Sequence, residues 1–227
     1  MKRTKYIIIA AICFLLYLAS ANKYLQSENY PQTRIACVGD SITYGYSISN
    51  RNRNSYPAQL GEMLGNQWSV RNFGVSGATL LQKGDNPYIK TLGFNLAHEF
   101  KPNIVVILLG TNDSKPENWK YKSHYINDYI TLINNFKKIG SNPNIWICYP
   151  APVYSKPGST SDRIIRNELI PMINKIASQT NVKTIDLYTP LSNKQNLFPD
   201  SVHPNAEGFK IIAKEVLNSI NSNKING

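Results

Sequence analysis

A serine, a histidine and an aspartate, the residue types of a common ester-hydrolysing site, occur in this chain together with glycine and asparagine loops. They fall in four short segments: Gly39-Asp40-Ser41, Asn72-Phe73-Gly74, Gly110-Thr111-Asn112-Asp113 and Asp200-Ser201-Val202-His203-Pro204. From the N- to the C-terminus, these segments offer a nucleophilic hydroxyl, two oxyanion donors, and a base with a carboxylate to orient it. Each segment is a weak signal by itself, but their combination favours acyl transfer.

Ser41, His203 and Asp200 are the candidate nucleophile, base and orienting acid. A serine hydroxyl is a poor nucleophile until a base removes its proton. Asp200 lies three residues before His203, close enough for its carboxylate to accept the imidazole Nδ1–H and leave Nε2 facing the serine. Each segment also has an ordinary interpretation, because Asp40-Ser41 is typical of a helix cap and the histidine segment of a turn.

Gly74 and Asn112 are the candidate oxyanion donors, together with the backbone N–H of Ser41. Attack on an ester builds negative charge on the carbonyl oxygen, which fixed donors must already face. Gly74 could present a backbone N–H with no side chain in the way, and Asn112 could offer its side-chain amide. Taken singly, either residue is also typical of an ordinary turn.

The elements that would position these residues alternate between strands and helices. The predicted strands are Arg34–Val38, Trp68–Phe73, Ile104–Leu109, Asn144–Tyr149 and Lys183–Leu187. The predicted helices are Tyr56–Leu64, Thr91–Phe100, His124–Ile139, Ile164–Gln179 and Asn205–Ile220. Continuous apolar strands are typical of parallel sheets covered on both faces. The pattern therefore predicts a doubly wound α/β sandwich, in which loops at the carboxyl ends of the strands form a crevice.

The first 21 residues have the layout of a secretory signal peptide. Lys2, Arg3 and Lys5 precede an almost wholly apolar run from Tyr6 to Leu18, and small residues follow at 19–21. The apolar run is short for a membrane span. We therefore expect a leader at 1–21, a single domain at 22–227, and export to the periplasm or the medium without an integral membrane domain. An uncleaved N-terminal membrane anchor is the alternative.

Composition argues against a nucleic-acid partner. The formal net charge is +11, and removing the three positive charges of the leader leaves +8. The lysines are spread along the chain rather than gathered in a basic block, which is typical of solvated surface. A general attraction to acidic glycans or envelope surfaces stays open, and the oligomeric state is not indicated.

The cysteines and the other histidines give no metal-ligand spacing, so we expect neither a metal nor another cofactor. Cys37 and Cys148 lie inside apolar strand segments. One disulfide is possible by count, but buried free thiols are favoured because a bridge between two strands has tight geometric limits. His98 and His124 are assigned to structure or surface.

The four segments, in this order, resemble the blocks of the SGNH (GDSL-like) hydrolase family, and the similarity covers nearly the whole chain after the leader. The resemblance implies a flavodoxin-like three-layer α/β/α sandwich with a mainly parallel five-stranded sheet. It also implies metal-free hydrolysis of esters or thioesters, with Ser41 as nucleophile and with Asp200 and His203 completing the triad. Gly74 and Asn112 would be the oxyanion donors.

The sequence thus predicts an exported serine esterase that removes small acyl groups, above all acetyl, from carbohydrate. A lysophospholipase or acyl-thioesterase is the alternative of the same class, and a non-catalytic glycan-binding domain is the alternative of another class. Trp119 and Tyr149 are candidate substrate-binding residues at the walls of the cleft, since an aromatic face suits a sugar ring. Core packing of Trp119 is an equal alternative. Tyr44 and Tyr46 follow the serine and are candidates to line the acyl side.

Overall fold

The computed structural model of the protein describes residues 14–16 and 33–222. The chain divides into two units, Met1–Gln32 and Thr33–Gly227, and of the first only the helical residues Phe14, Leu15 and Leu16 are described. The rest of the predicted leader and its cleavage position lie outside the described residues. None of the helices in the described ranges has the length and apolar character needed to span a bilayer.

The described part of the second unit is built on a five-stranded sheet in which every pairing is parallel. The strands are β1 Thr33–Gly39, β2 Trp68–Gly74, β3 Ile104–Leu108, β4 Asn144–Tyr149 and β5 Lys183–Asp186, in the order β2-β1-β3-β4-β5. All five residues of β3 are buried, as expected for a central strand covered on both faces.

Helices cover both faces of the sheet. They are α1 Ser41–Tyr44, α2 Arg51–Asn54, α3 Tyr56–Leu64, α4 Leu92–Glu99, α5 Pro116–Trp119, α6 Tyr125–Lys137, α7 Asp162–Ile164, α8 Ile170–Thr180 and α9 Ala206–Ser222. Short 3₁₀ turns occupy Tyr88–Lys90, Asn112–Ser114, Lys122–His124, Thr189–Leu191 and Gln195–Leu197. Each long predicted helix is present, but the one predicted at Ile164–Gln179 is interrupted by a π-helical turn at Ile165–Leu169. Pro171 explains the interruption, because it has no N–H to donate and its ring crowds the preceding turn.

Alternate residues of each strand enter two separate cores. On β1, Ile35 and Cys37 pack in the core beneath α3 and α9. Ala36 and Val38 pack on the opposite face, in the core beneath α4, α6 and α8. The predicted three-layer α/β/α sandwich with a five-stranded parallel sheet is therefore confirmed.

The two strand cysteines are buried free thiols. Cys37 lies on β1 and Cys148 on β4, with β3 between the two strands. Burial raises the pKa of Cys37 to about 12 and raises that of Cys148 as well. Both thiols therefore stay protonated and act as small apolar side chains.

The strand order places a crevice above β1. From β1 the chain passes to β2 on one side and then crosses to β3 on the other, which makes the carboxyl end of β1 a topological switch point. Gly39 ends β1 where the backbone comes very close to that of β3. A Cβ at Gly39 would lie 2.4 Å from the carbonyl oxygen of Leu108. Ser41 follows at this edge.

Candidate active site

Ser41 is the first residue of α1, immediately after β1. Asp40 is the N-cap of this helix and accepts the backbone N–H of Ile42 at 2.9 Å. Ser41 lines a small cleft, although the residue is only 7% exposed. N–H groups in the first turn of a helix lack intrahelical acceptors, so the Ser41 N–H is available to a group bound in the cleft.

The loop before α9 brings His203 to the serine. The Asp200 carboxylate closes a tight turn by accepting the backbone N–H of Val202 at 3.0 Å and that of His203 at 2.7 Å. Ser201, between them, has a left-handed φ of 69°, and its carbonyl accepts the N–H of Tyr154 at 2.7 Å. The histidine backbone is thus fixed by both its own turn and the loop after β4.

Asp200, His203 and Ser41 form one continuous hydrogen-bonded chain. The Nδ1 of His203 is 2.6 Å from Asp200 Oδ2, and its Nε2 is 2.8 Å from Ser41 Oγ. Burial alone would raise the pKa of Asp200, but hydrogen bonds from the backbone and ring of His203 outweigh it and hold this pKa below its usual value. An ionised Asp200 keeps the proton on Nδ1, which leaves Nε2 free to accept the Ser41 proton.

Asn112 lines the same cleft as His203 and lies in the 3₁₀ turn that follows β3. Its side-chain Nδ2 donates one hydrogen to the carbonyl oxygen of Ala78 at 3.1 Å. An amide nitrogen carries two hydrogens, and Asn112 lines the same cleft as Ser41. The second hydrogen can therefore serve an oxyanion in the cleft.

Gly74 does not join the other candidate residues. It is the last residue of β2, and its N–H donates to the side-chain Oδ1 of Asn72 at 2.9 Å. A Cβ at this position would lie 2.2 Å from the backbone nitrogen of Tyr44. Gly74 therefore allows β2 to pack against α1, which is a structural role rather than the donor role expected from the sequence.

Gly77, three residues later, lies at the cleft position expected of Gly74. It lines the cleft with Ser41 and Asn112, and its left-handed φ of 78° favours glycine. Its N–H has no acceptor among the described residues. The signal that could have identified it is the second glycine of the segment Gly74-Val75-Ser76-Gly77, because a loop donor must lie beyond the end of the strand.

Asp113 holds the loop that carries Gly77. Its buried carboxylate accepts the backbone N–H of Leu80 at 2.9 Å and that of Leu81 at 2.7 Å. Burial raises the pKa of Asp113 to about 6, although these two bonds oppose the shift. Asp113 thus supports the loop after β2 and does not reach the cleft.

Trp119 and Tyr149 are not at the cleft walls. Trp119 is 6% exposed, packs edge-on against Tyr125, and donates its indole N–H to Glu168 at 3.0 Å. Tyr149 donates its hydroxyl to the side chain of Asn174 on α8. Both side chains pack in or against the core beneath α6 and α8, so the core alternative holds for Trp119 and the substrate-binding assignment of both residues is corrected.

The cleft around Ser41 has a volume of about 270 Å³. Besides the residues already described, it is bordered by Tyr46, Ser76, Lys115, Ser159, Thr160 and Val202. The Tyr46 ring packs against the imidazole of His203, with 4.8 Å between ring centroids. From the sequence, Tyr46 is expected to line the acyl side because it follows the serine, whereas in the structure its ring lies beside His203.

The remaining histidines lie elsewhere. His98 packs between the rings of Phe94 and Phe136, and His124 Nε2 is 3.2 Å from Lys83 Nζ. Among the described residues, no group of three or more His, Cys, Asp or Glu side chains could hold a metal ion.

Comparison with known proteins identifies similar chains. The GDSL-like Lipase/Acylhydrolase family model matches residues 37–211. An acetylxylan esterase from Xylanibacter ruminicola is 38% identical over 205 residues, and the match covers 82% of this chain and 43% of that protein. The chain thus spans less than half the length of this curated relative.

Solved structures share the fold at low identity. The aryl esterase of M. smegmatis superimposes with a TM-score of 0.66 at 18% identity, covering 84% of this chain and 99% of that one. Est24, a carbohydrate acetylesterase from Sinorhizobium meliloti, gives a TM-score of 0.66 at 17% identity, with 84% and 99% coverage. At these identities the similarity is one of fold.

Replacing Asp40 with asparagine is expected to change how stability depends on pH. Burial raises the pKa of Asp40 to about 7, and the nearby Asp113 charge adds to the effect. Because the folded state holds this proton more tightly, Asp40 makes stability fall as pH rises from about 4 to 7, by at most ~1.4 kcal/mol per pH unit. Asparagine keeps the Oδ1 acceptor for Ile42 and removes the charge. Asp40→Asn should therefore be more stable than the wild type at pH 8 in urea denaturation.

The control is Asp186→Asn, which makes the same chemical change at an exposed aspartate. It should not reproduce the gain in stability that Asp40→Asn shows at pH 8. If the stability curve of Asp40→Asn ran parallel to that of the wild type between pH 4 and 8, the buried charge at Asp40 would not shape stability in this range.

Proposed function

Because the chain belongs to the GDSL-like lipase/acylhydrolase family, we propose that it is a serine esterase that removes small acyl groups, acetyl above all, from carbohydrate. The observation that carries the proposal is the hydrogen-bonded chain from Asp200 through His203 to Ser41, with contacts of 2.6 and 2.8 Å. A nucleophile, its base and the group that orients the base are all within hydrogen-bonding reach.

Acylation begins when His203 Nε2 takes the Ser41 proton as Oγ attacks the ester carbonyl. The tetrahedral oxyanion is held by the N–H groups of Ser41 and Gly77 and by the Asn112 amide. The imidazolium, stabilised by ionised Asp200, then protonates the leaving alcohol as the ester C–O bond breaks. In deacylation, His203 takes a proton from water as the water oxygen attacks the acyl carbonyl, and the imidazolium then returns the proton to Ser41 Oγ as the Oγ–acyl bond breaks and the carboxylic acid leaves.

A small acyl group fits the cleft best. The cleft volume of about 270 Å³ lies below the 300–1,000 Å³ common for pockets that enclose drug-sized ligands. The carbohydrate part of the proposal rests on the relative named acetylxylan esterase. This relative is more than twice as long as the matched region, so the proposal concerns the activity of the shared domain.

Two substitutions in the hydrogen-bonded chain are expected to lower turnover of p-nitrophenyl acetate. Ser41→Ala removes the nucleophile, and Asp200→Asn removes the charge that stabilises the imidazolium. Each should reduce kcat by roughly 10³-fold or more, while circular dichroism stays native. Activity left unchanged by Ser41→Ala would contradict the catalytic role and favour a non-catalytic glycan-binding domain.

The matched control is Asp186→Asn. Asp186 Oδ1 accepts the N–H groups of Tyr188 and Thr189, each at 2.9 Å, so it closes the same kind of turn as Asp200 without a histidine partner. Its kcat should stay within about twofold of the wild type, which separates loss of the catalytic charge from loss of a turn.

Acyl-chain preference is the second test of the function. Initial rates on p-nitrophenyl esters from acetyl to octanoyl should fall as the chain grows, because the cleft does not enclose a long chain. The expected loss in kcat/KM from acetyl to octanoyl is at least tenfold, about 1.4 kcal/mol. A rate that rises steadily with chain length would contradict the acetylesterase proposal and favour a lysophospholipase or acyl-thioesterase.

We also propose that the domain acts outside the cytoplasm, in the periplasm or the medium. The support is the basic start, apolar run and small residues of the first 21 residues. N-terminal sequencing of protein recovered from the periplasm or medium should begin at Asn22. Intact protein held in the membrane fraction would instead favour the N-terminal anchor, and intact protein in the cytosol would contradict both.

A further inference from the structure

A second concave surface lies beside the catalytic cleft. It has a volume of about 600 Å³ and is lined by residues of α1, the end of β2 and the start of α4. Two parts of the chain form its walls: Tyr44 and Tyr46 come from α1 and the residues after it, and Leu92 and Leu96 come from α4. We call this surface the Tyr-Leu groove.

The exposed large apolar side chains of residues 33–222 are concentrated in the Tyr-Leu groove. Tyr44 is 38% exposed, Tyr46 48%, Leu92 70% and Leu96 42%, and no other large apolar side chain in this described range is as exposed. Contiguous exposed apolar surface of this kind commonly marks a binding site.

Close packing fixes both walls of the groove. A Cβ at Gly93 would lie 2.7 Å from Val75 Cγ2 and 2.9 Å from the Phe73 carbonyl oxygen, so glycine lets α4 lie directly against the end of β2. Leu92 and Leu96 are one helical turn apart on this helix and share a face. On the other wall, the Arg51 guanidinium lies 4.1 Å from the centre of the Tyr44 ring.

The groove is continuous with the catalytic cleft, because Tyr46 and Ser76 line both. The Tyr46 ring also packs against His203 at 4.8 Å. In ester cleavage the leaving alcohol takes its proton from the histidine, so the alcohol portion of the substrate lies on the His203 side. The groove therefore begins where the alcohol portion of the substrate would lie.

We propose that the Tyr-Leu groove binds the sugar units that adjoin the acetylated unit of a polysaccharide, an inference that rests on the proposed function and names its substrate as a polymer. A sugar ring has apolar C–H faces and polar hydroxyl edges. The tyrosine and leucine side chains suit the faces, as aromatic surface with a polar tip does in general. Arg51 and Ser76, in the same lining, offer hydrogen-bonding groups for the hydroxyls, which a hydrocarbon chain would not use.

The test compares long and short substrates in the full chain. The double variant Leu92→Gln/Leu96→Gln removes apolar surface from exposed helical positions, where glutamine is a good helix former. Its kcat/KM on acetylated xylohexaose should fall about tenfold through KM, while kcat/KM on p-nitrophenyl acetate stays within about twofold. The matched control Leu92→Met/Leu96→Met keeps the apolar surface and should retain wild-type KM.

A binding measurement separates the groove from the chemistry. Calorimetric titration of Ser41→Ala with unacetylated xylohexaose and xylobiose should give tighter binding of the longer chain. Adding Leu92→Gln/Leu96→Gln to Ser41→Ala should remove that difference. Tyr44→Ala should weaken xylohexaose binding as well, and Tyr44→Phe should restore it because the ring is kept.

The outcomes are distinct for the groove and for the proposed function. Equal affinity of Ser41→Ala for xylohexaose and xylobiose would overturn the groove proposal even if the wild type is an active acetylesterase. Absence of esterase activity with length-dependent sugar binding would overturn the proposed function and leave the groove. If the glutamine variants instead lost activity on p-nitrophenyl octanoate alone, the groove would hold an acyl chain and the polysaccharide proposal would be wrong.

Discussion

Two adjacent side chains after β3, Asn112 and Asp113, hold the loop after β2 in place. Asn112 bonds to the carbonyl of Ala78, and Asp113 receives the N–H groups of Leu80 and Leu81. These bonds join the loops on either side of β1, because β2 and β3 are its two neighbours in the sheet. Gly77 is brought opposite Ser41 as a result. Burying the Asp113 carboxylate is unfavourable in itself, as its raised pKa indicates, and the two short backbone bonds offset that cost.

Much of the fold and half of the site could be predicted from the sequence. Continuous apolar runs such as Ile104–Leu108 identify buried parallel strands, and the resemblance to the SGNH (GDSL-like) family that rested on the four segments is confirmed by the family match. Ser41 and His203 could be paired because the order of the family's motifs indicates that these two distant residues meet. The periodicity of a local segment cannot show such a contact. Gly74 is the predicted donor because it directly follows the predicted end of the strand at Phe73, whereas β2 continues to Gly74.

The residues that line the cleft were harder to predict, for a physical reason. Position after a strand determines which edge of the sheet a residue reaches, but the direction of its side chain depends on packing. Trp119 follows the Asn112 turn as expected, yet its ring packs inward against Tyr125, in the core beneath α6 and α8, where apolar surface is removed from water. Tyr44 and Tyr46 remain outside because α1 is only four residues long and Gly45 ends it in a left-handed conformation. The exposed position of these two tyrosines thus depends on where α1 ends.

The contact between Ser41 and His203 joins residues 162 positions apart. Ser41 follows β1, whereas His203 belongs to the loop that precedes α9. Contacts between such distant residues form late in folding, since loop closure must occur first. Under the proposed function, a partly folded chain in which α9 has not docked would therefore carry a serine without its base. Under the proposed function, esterase activity requires α9 to be docked, so activity would report that these two distant parts of the domain have come together.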